Sequence, residues 1–211
     1  MTTTQRTFSA FGKSVTLHTP ADDFSGPDAE WRLRNIYGPY VATMGEPKFD
    51  IALDIGAGFG SFCIPFAMAF PQVRIYAFEP QKDIYELLIR NIREHGVDNV
   101  IAFNAAVICF DDQPKAAETR TVEGAGSGVA ADSQLARLLG PTVQARFQRH
   151  VSKPLYMEHL RSVDGPASDE FELVEAIAAS AENLAGLGAG FVKLVAPGVE
   201  ASVLKALMRD T

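Results

Sequence analysis

Three glycines and an aspartate lie close together in the stretch Asp54-Ile-Gly-Ala-Gly-Phe-Gly60. Glycines at a turn between a strand and a helix let the backbone bend sharply and approach a ligand closely. The amides that open the following helix favour a carboxylate or a phosphate. Asp54 would repel a pyrophosphate but would attract an ammonium group. The stretch therefore favours a ligand that carries an ammonium beside a carboxylate, although a tight turn without a ligand is the alternative for the glycines taken alone.

The spacing of these glycines differs from that of a dinucleotide-binding turn. The dinucleotide pattern Gly-x-Gly-x-x-Gly requires a third glycine where this chain has Ser61. The methionine half of S-adenosylmethionine carries both an ammonium and a carboxylate, so the sequence predicts this cofactor rather than NAD. A nicotinamide-binding module remains a further interpretation. The predicted contacts in this turn are Asp54, Gly56, Ala57, Gly58, Gly60 and Ser61.

Two polar residues follow the next predicted strands. Glu79 comes about 20 residues after the glycines, where an acidic residue accepts hydrogen bonds from both ribose hydroxyls. A surface acid at a strand end is the alternative. Asn104 is expected near the adenine, with an ordinary turn residue as the alternative. Their neighbours Pro80 and Ala105 complete the predicted cofactor contacts.

The elements that must position these residues alternate regularly. Apolar strands are predicted at 49–55, 73–78 and 100–103, with helices at 61–70 and 83–95 between them. This is the βαβαβ unit of a doubly wound, mainly parallel α/β sheet of the Rossmann-like type. The right-handed crossover rule places the first strand centrally, and a later strand at 191–195 gives the order 3-2-1-4.

The flanking segments receive less regular predictions. Residues 1–48 form an N-terminal arm, with a short strand or extended region at 1–22 and a helix at 28–41, and residues 49–211 form the cofactor-binding domain. Further predictions are a strand at 116–122, a flexible turn at 124–128, and helices at 132–139, 172–184 and 200–208.

Composition bounds the class of protein. The chain has 211 residues, 47% hydrophobic residues and a net charge of -7, which fits one globular domain with no basic surplus for nucleic acid or an anionic membrane. A basic patch at 146–153 is predicted to be a solvated helix face. Cys63 and Cys109 are too few for a disulfide framework or a cysteine-based metal site. No signal-peptide pattern or apolar span is found, so we expect a cytoplasmic protein.

The motifs together resemble the FkbM family of S-adenosylmethionine-dependent methyltransferases, from about Tyr37 to the C-terminus. The residues that carry the resemblance are Leu53-Asp-Ile-Gly-Ala-Gly-Phe-Gly60, Tyr76-Ala-Phe-Glu-Pro80, Leu88, Asn91 and Phe103-Asn-Ala-Ala-Val107, with a glycine- and serine-containing stretch matched at 124–128. The resemblance implies a class I methyltransferase fold and O-methylation of a hydroxyl on a small molecule or sugar.

A second family signature is altered in this chain. Lys193-Leu-Val-Ala-Pro-Gly-Val-Glu200 has Val195 and Pro197 where the family carries acidic residues. A carboxylate there could orient the acceptor or take its proton, which valine and proline cannot do. The remaining candidates for a catalytic base are Glu200, His150 and His159, with Lys193 less plausible, and each has an ordinary structural alternative. The chain is therefore either an active methyltransferase or a degenerate relative that binds the cofactor or a partner subunit without catalysis.

Two further expectations concern the surroundings of the site. The resemblance implies a fifth strand and a closing antiparallel pair after residues 200–208, which this sequence lacks, so the fourth strand is expected to be an open edge. The middle segment, a second copy in a homo-oligomer or a partner chain could cover that edge. Tyr37 and Tyr40 either cover the cofactor pocket or face the core.

Overall fold

The computed structural model describes residues 1–22, 24–109, 139–148, 171–196 and 199–208. The elements in chain order are β1 (Thr3–Ala10), β2 (Lys13–Pro20), α1 (Ser25–Arg32), a π-helical segment (Leu33–Tyr37), α2 (Gly38–Met44), β3 (Ile51–Ile55), α3 (Cys63–Ala69), β4 (Arg74–Phe78), α4 (Lys82–His95), β5 (Val100–Phe103), β6 (Ala105–Ile108), β7 (Leu139–Gln148), β8 (Phe171–Ser180), α5 (Ala181–Ala185), β9 (Phe191–Leu194) and α6 (Glu200–Leu207).

A four-stranded parallel sheet lies at the centre of the fold. Its order is β5-β4-β3-β9, which confirms the predicted order 3-2-1-4. The strands are short apolar runs because both faces of the sheet are covered. One face packs against α3, α4 and the N-terminal hairpin, and the other packs against β6, α5 and α6. The predicted doubly wound α/β fold is therefore confirmed, and none of the described helices is both long and apolar enough to cross a membrane.

The N-terminal residues form a hairpin rather than a single extended arm. Strands β1 and β2 pair antiparallel across a two-residue turn, in which Phe11 and Gly12 have positive φ angles of 54° and 72°. A turn of this kind matches the twist of the flanking strands. The ring of Phe11 lies 5.6 Å from that of Phe62 and 5.7 Å from that of Phe66, both edge-on. The hairpin therefore covers α3, which follows the glycine-rich turn.

Asn91 of α4 joins this hairpin to the glycine-rich turn. Its side chain is fully buried and accepts a hydrogen bond from the His18 backbone N–H at 2.9 Å. Its Nδ2 donates to the carbonyl oxygens of His18 and Phe59, at 2.9 and 2.8 Å. One amide thus satisfies three backbone groups on two separate segments, one of them inside the turn.

We expect Asn91→Ala to lower the free energy of unfolding by about 3 kcal/mol, because it leaves three backbone groups without their partner. Chemical denaturation measures the loss. The matched control is Asn35→Ala, which removes one exposed hydrogen bond to the Trp31 carbonyl and should change stability by less than about 0.5 kcal/mol. Equal losses in the two variants would contradict the role assigned to Asn91.

A second sheet contains the segment for which a helix is predicted at 172–184. Strand β8 pairs parallel with β6 and antiparallel with β7, and only Ala181–Ala185 is helical. The helix prediction is therefore wrong for most of its length. Alanine-rich local propensity favours a helix there, but pairing with two strands distant in sequence satisfies the backbone instead.

Two smaller predictions fail in the same sheet, and others lie outside the described residues. Leu139 begins β7 rather than ending a helix, and residues 146–148 are strand rather than a solvated helix face. Residues 116–122, 124–128 and 132–138 are not among those the structure describes.

Strand β9 forms one edge of the central sheet. It pairs with β3, and within the described residues no strand pairs with its outer side. The open edge predicted for the fourth strand is therefore present in the described part of the chain.

Candidate functional site

The glycine-rich turn follows β3 at the carboxyl edge of the sheet. Gly56, Gly58 and Gly60 have φ angles of 73°, 56° and 94°, which side chains rarely tolerate. A Cβ at Gly56 would overlap the carbonyl oxygen of Val195, and one at Gly60 would lie 2.6 Å from Cδ1 of Ile64. Nothing lies within 4 Å of a Cβ placed on Gly58. Packing therefore requires the outer two glycines, whereas Gly58 leaves open space through which a ligand can approach the backbone.

Backbone hydrogen bonds hold this turn between the ends of two neighbouring strands. The amides of Gly56 and Ala57 both donate to the carbonyl of Phe78, at 3.0 and 2.9 Å. The Val195 amide donates to the Ile55 carbonyl at 2.9 Å. The crevice outside the carboxyl ends of such strands is where doubly wound sheets bind ligands.

Glu79 closes the turn from the end of β4. Its Oε2 accepts a hydrogen bond from the Gly58 amide and its Oε1 accepts one from the Gln81 amide, both at 2.9 Å. The side chain is 6% exposed. Burial raises the pKa of Glu79 to about 7, although the two amides oppose the shift. Each carboxylate oxygen has a further lone pair, so the group can still accept hydrogen bonds from a diol.

The raised pKa of Glu79 predicts a pH dependence of stability. A carboxyl group with a higher pKa in the folded state stabilises the protein below its unfolded pKa of 4.5, and this contribution is lost as the pH rises through about 7. We expect the free energy of unfolding of the wild type to fall relative to Glu79→Gln by about 3 kcal/mol over that interval. Denaturation series at several pH values measure the difference. A constant difference between the two proteins would contradict the assignment.

Asn104 lies where β5 ends, next to this carboxylate. Its Nδ2 donates to the carbonyl oxygens of Glu79 and Pro80, at 2.9 and 3.0 Å. These bonds agree with the alternative role of a turn residue, and the adenine contact stays a prediction. Ala105 is buried at the start of β6, and Ser61 is partly buried just before α3.

An ion pair that the sequence analysis did not predict lies beneath the turn. Asp54 and Lys193 are register partners on β3 and β9, and Lys193 Nζ lies 2.8 Å from Asp54 Oδ1. The ammonium also donates a hydrogen bond to the Gly56 carbonyl. Asp54 is 0% exposed and Lys193 is 8% exposed. The predicted strand order puts the two strands side by side, but the register that pairs these residues cannot be read from spacing.

The charges of this pair affect their neighbours. Burial by itself lowers the pKa of Lys193. The Asp54 carboxylate, and after it Tyr37, raise this pKa by more, so its net shift is upward. Burial first, and then Asp54, raise the pKa of the Cys63 thiol well above its usual value. At neutral pH the site therefore holds a charged Lys193 and a protonated Cys63.

The two tyrosines ahead of the sheet pack on an aromatic cluster. Tyr37 ends the π-helical segment, and its ring meets that of Phe62 edge-on at 5.2 Å. Tyr40 is 61% exposed, with its ring 5.8 Å from that of Phe191. Tyr37 thus lies on the core side, within electrostatic reach of Lys193. A role in covering the cofactor stays a prediction for both.

Apart from Lys193, the predicted acceptor-side residues that the structure describes are Val195 and Glu200. Glu200 is the first residue of α6, and the Val195 carbonyl lies against Gly56. His150, His159 and Pro197 lie outside the described residues. The structure therefore brings together the predicted cofactor residues of β3 and β4, with Lys193 added to them.

Comparison with known proteins adds a partial likeness. No family model matches the chain. A tRNA (guanine-N(7)-)-methyltransferase of Anaeromyxobacter dehalogenans is 30% identical over 81 residues, which are 38% of this chain and 40% of that protein. The chain thus spans less than half the length of this curated relative.

Solved structures show likeness over different parts of the chain. The 16S rRNA N2 G1207 methyltransferase of T. thermophilus, solved with AdoMet and guanosine, covers 84% of this chain and 51% of its own, with 14% identity and a TM-score of 0.40. The likeness to a precorrin-6y C5,15-methyltransferase of Geobacter metallireducens covers 26% of this chain and 29% of that protein, with 29% identity and a TM-score of 0.26. The parallel sheet and glycine-rich turn of this chain are those of a doubly wound α/β fold.

Proposed function

We propose that this protein is an S-adenosylmethionine-dependent methyltransferase of the FkbM type that O-methylates a small molecule or sugar. The observation that carries the proposal is the contact between Glu79 and the Gly58 amide at the carboxyl edge of the sheet. It places a carboxylate that can accept hydrogen bonds from a diol beside Gly58, the one glycine of the turn that leaves room for a ligand. The partial likeness to a curated methyltransferase supports the methyltransferase part of this proposal, but not the type of acceptor.

The residues fit the adenosine end of this cofactor. Glu79 presents a buried carboxylate to ribose hydroxyls, and Gly58 lets the ligand approach the backbone. The cofactor supplies a methyl group activated on a sulfonium. The protein's part is to bind and orient the cofactor and the acceptor and to exclude water, because in-line displacement depends on alignment.

The acceptor proposed here is a hydroxylated small molecule rather than RNA. Binding to RNA draws on attraction between basic side chains and the phosphate backbone, and the net charge of -7 provides no such attraction overall. A tRNA substrate like that in the name of the relative is therefore not proposed. A hydroxyl acceptor is helped by a general base. We assign that role to one of Glu200, His150 and His159, since Val195 cannot take a proton.

A non-catalytic relative is the second candidate function. It is favoured by Val195 and Pro197 in place of acidic residues, and by the ion pair that occupies Asp54. In that case the protein binds the cofactor or a partner subunit. The outer edge of β9, with which no other described strand pairs, supports a covering partner or a second copy, because unpaired strand edges promote association. A strictly monomeric protein in native mass spectrometry would remove that support.

Cofactor binding and turnover together test the proposed function. Calorimetric titration with S-adenosylhomocysteine should show saturable binding, which Glu79→Gln weakens by about tenfold because the acceptor for two hydroxyls is impaired. The control is Glu86→Gln, an exposed acid on α4. Turnover is then followed with S-adenosylmethionine and a panel of hydroxylated acceptors.

Each result of these measurements has a definite meaning. Binding with methylation of a hydroxyl supports the proposal. Binding without turnover on any acceptor favours the non-catalytic relative. Methylation of tRNA alone would contradict the proposed acceptor, and binding of NAD without S-adenosylhomocysteine would contradict the cofactor.

A further inference from the structure

The ammonium group of Lys193 lies against the Asp54 carboxylate, which the sequence analysis assigned to the ammonium group of a ligand. Its Nζ lies 2.8 Å from Asp54 Oδ1 and donates to the Gly56 carbonyl. Asp54 is 0% exposed, and its two inaccessible oxygens have no partner with hydrogen-bond geometry among the described residues, so the ion pair with Lys193 is what balances its charge. The carboxylate that the sequence assigns to a ligand is therefore already neutralised by the protein.

We propose that Lys193 is an internal substitute for the α-ammonium of the cofactor and sets the specificity of the site. The inference rests on the proposed function, and it deepens it. With Lys193 in place, the amino group of the methionine portion contributes little to affinity. Recognition depends instead on the adenosine side, where Gly58 and Glu79 lie.

The architecture keeps Lys193 in this position. The register of β3 with β9 holds Lys193 next to the Asp54 carboxylate. A free ligand loses translational and rotational entropy when it binds, whereas the lysine, as part of the same chain, does not pay this cost. Displacing it would leave a buried ammonium to be solvated elsewhere. The other described carboxylate within electrostatic reach of this ammonium is that of Glu79, which the ligand itself is proposed to use. A ligand ammonium in solution must give up its water to compete.

The neighbours of the pair also leave the lysine little freedom. The phenol of Tyr37 and the thiol of Cys63 are both within electrostatic reach of Nζ. Lys193 is 8% exposed, so its stem is enclosed as well as its charge. The ion pair is therefore built into the interior and is not a surface contact that a ligand can easily open.

The test compares two ligands on the full chain by calorimetry. One is S-adenosylhomocysteine, and the other is its desamino analogue, in which hydrogen replaces the α-amino group. For the wild type we expect dissociation constants within about threefold of each other. For Lys193→Met, which leaves the Asp54 carboxylate without its ammonium partner, S-adenosylhomocysteine should bind at least about tenfold more tightly than the analogue.

The double variant Asp54→Asn with Lys193→Met is the matched control, and its two affinities should again agree. If the wild type preferred the amino-bearing ligand by more than about threefold, this inference would be overturned while the proposed function would stand. The same would follow if the ratio of the two dissociation constants were unchanged in a folded Lys193→Met variant. Should Lys193→Met not fold by circular dichroism, the wild-type ratio decides by itself. Failure of both ligands to bind the wild type would overturn the proposed function, and this inference with it.

Discussion

Replacing Gly56 with alanine is expected to lower the free energy of unfolding by about 4 kcal/mol or more and to abolish ligand binding. The added Cβ would overlap the carbonyl oxygen of Val195, which is backbone and cannot rotate away. The φ angle of 73° adds strain for any residue other than glycine. Relief requires β3 and β9 to separate at the carboxyl edge, where the site lies. Urea denaturation and ligand titration measure the two losses.

Gly58→Ala is the matched control for this prediction. Gly58 also has a positive φ, of 56°, but nothing lies within 4 Å of a Cβ there. We therefore expect a cost of about 1–2 kcal/mol, from backbone strain alone. If the two variants were equally stable, the close approach of Val195 to the turn would be contradicted.

Removing either member of the buried ion pair is expected to have the second large effect. Lys193→Met leaves the fully buried Asp54 carboxylate without its counter-charge, and Asp54→Asn leaves a buried ammonium. Each single change should cost about 3–5 kcal/mol at neutral pH, because an uncompensated buried charge is strongly unfavourable. The double variant should lose much less than the sum of the two, since no unpaired charge remains.

The exposed pair between Arg90 and Glu94 provides the comparison. Its N–O distance is 2.9 Å, but the side chains are 50% and 42% exposed. Arg90→Met should therefore cost far less than either single change in the buried pair, because solvent screens the exposed charges. Additive losses for Asp54 and Lys193 in the double variant would show that the two charges do not depend on each other, contrary to the structure.

Local sequence patterns were sufficient for the central sheet. The alternation of apolar strands and amphipathic helices between residues 49 and 103 predicted β3, α3, β4, α4 and β5, and Gly96 does end α4 with a positive φ of 59°. The crossover rule then supplied the strand order. These features depend on short-range periodicity and chain handedness, both of which are visible in a single sequence.

The errors arose where the partner of a segment is distant along the chain. Strand β8 was expected to be helical because its composition favours a helix, while its pairing with β6 and β7 is invisible to local analysis. The hairpin at the N-terminus was only partly anticipated, because its inward face is defined by α3 and α4 rather than by its own weak alternation.

The same division holds within the site itself. Asp54, the three glycines and Glu79 were identifiable from residue type and spacing, because a sharp turn and an acid at a strand end have local signatures. The partner of Asp54 was not, since the choice of Lys193 over any ligand depends on the register of β3 with β9 and on complete burial. Spacing along the chain thus identified the groups that can bind a charged ligand, whereas the packing of strands distant in sequence determined which charge the carboxylate meets.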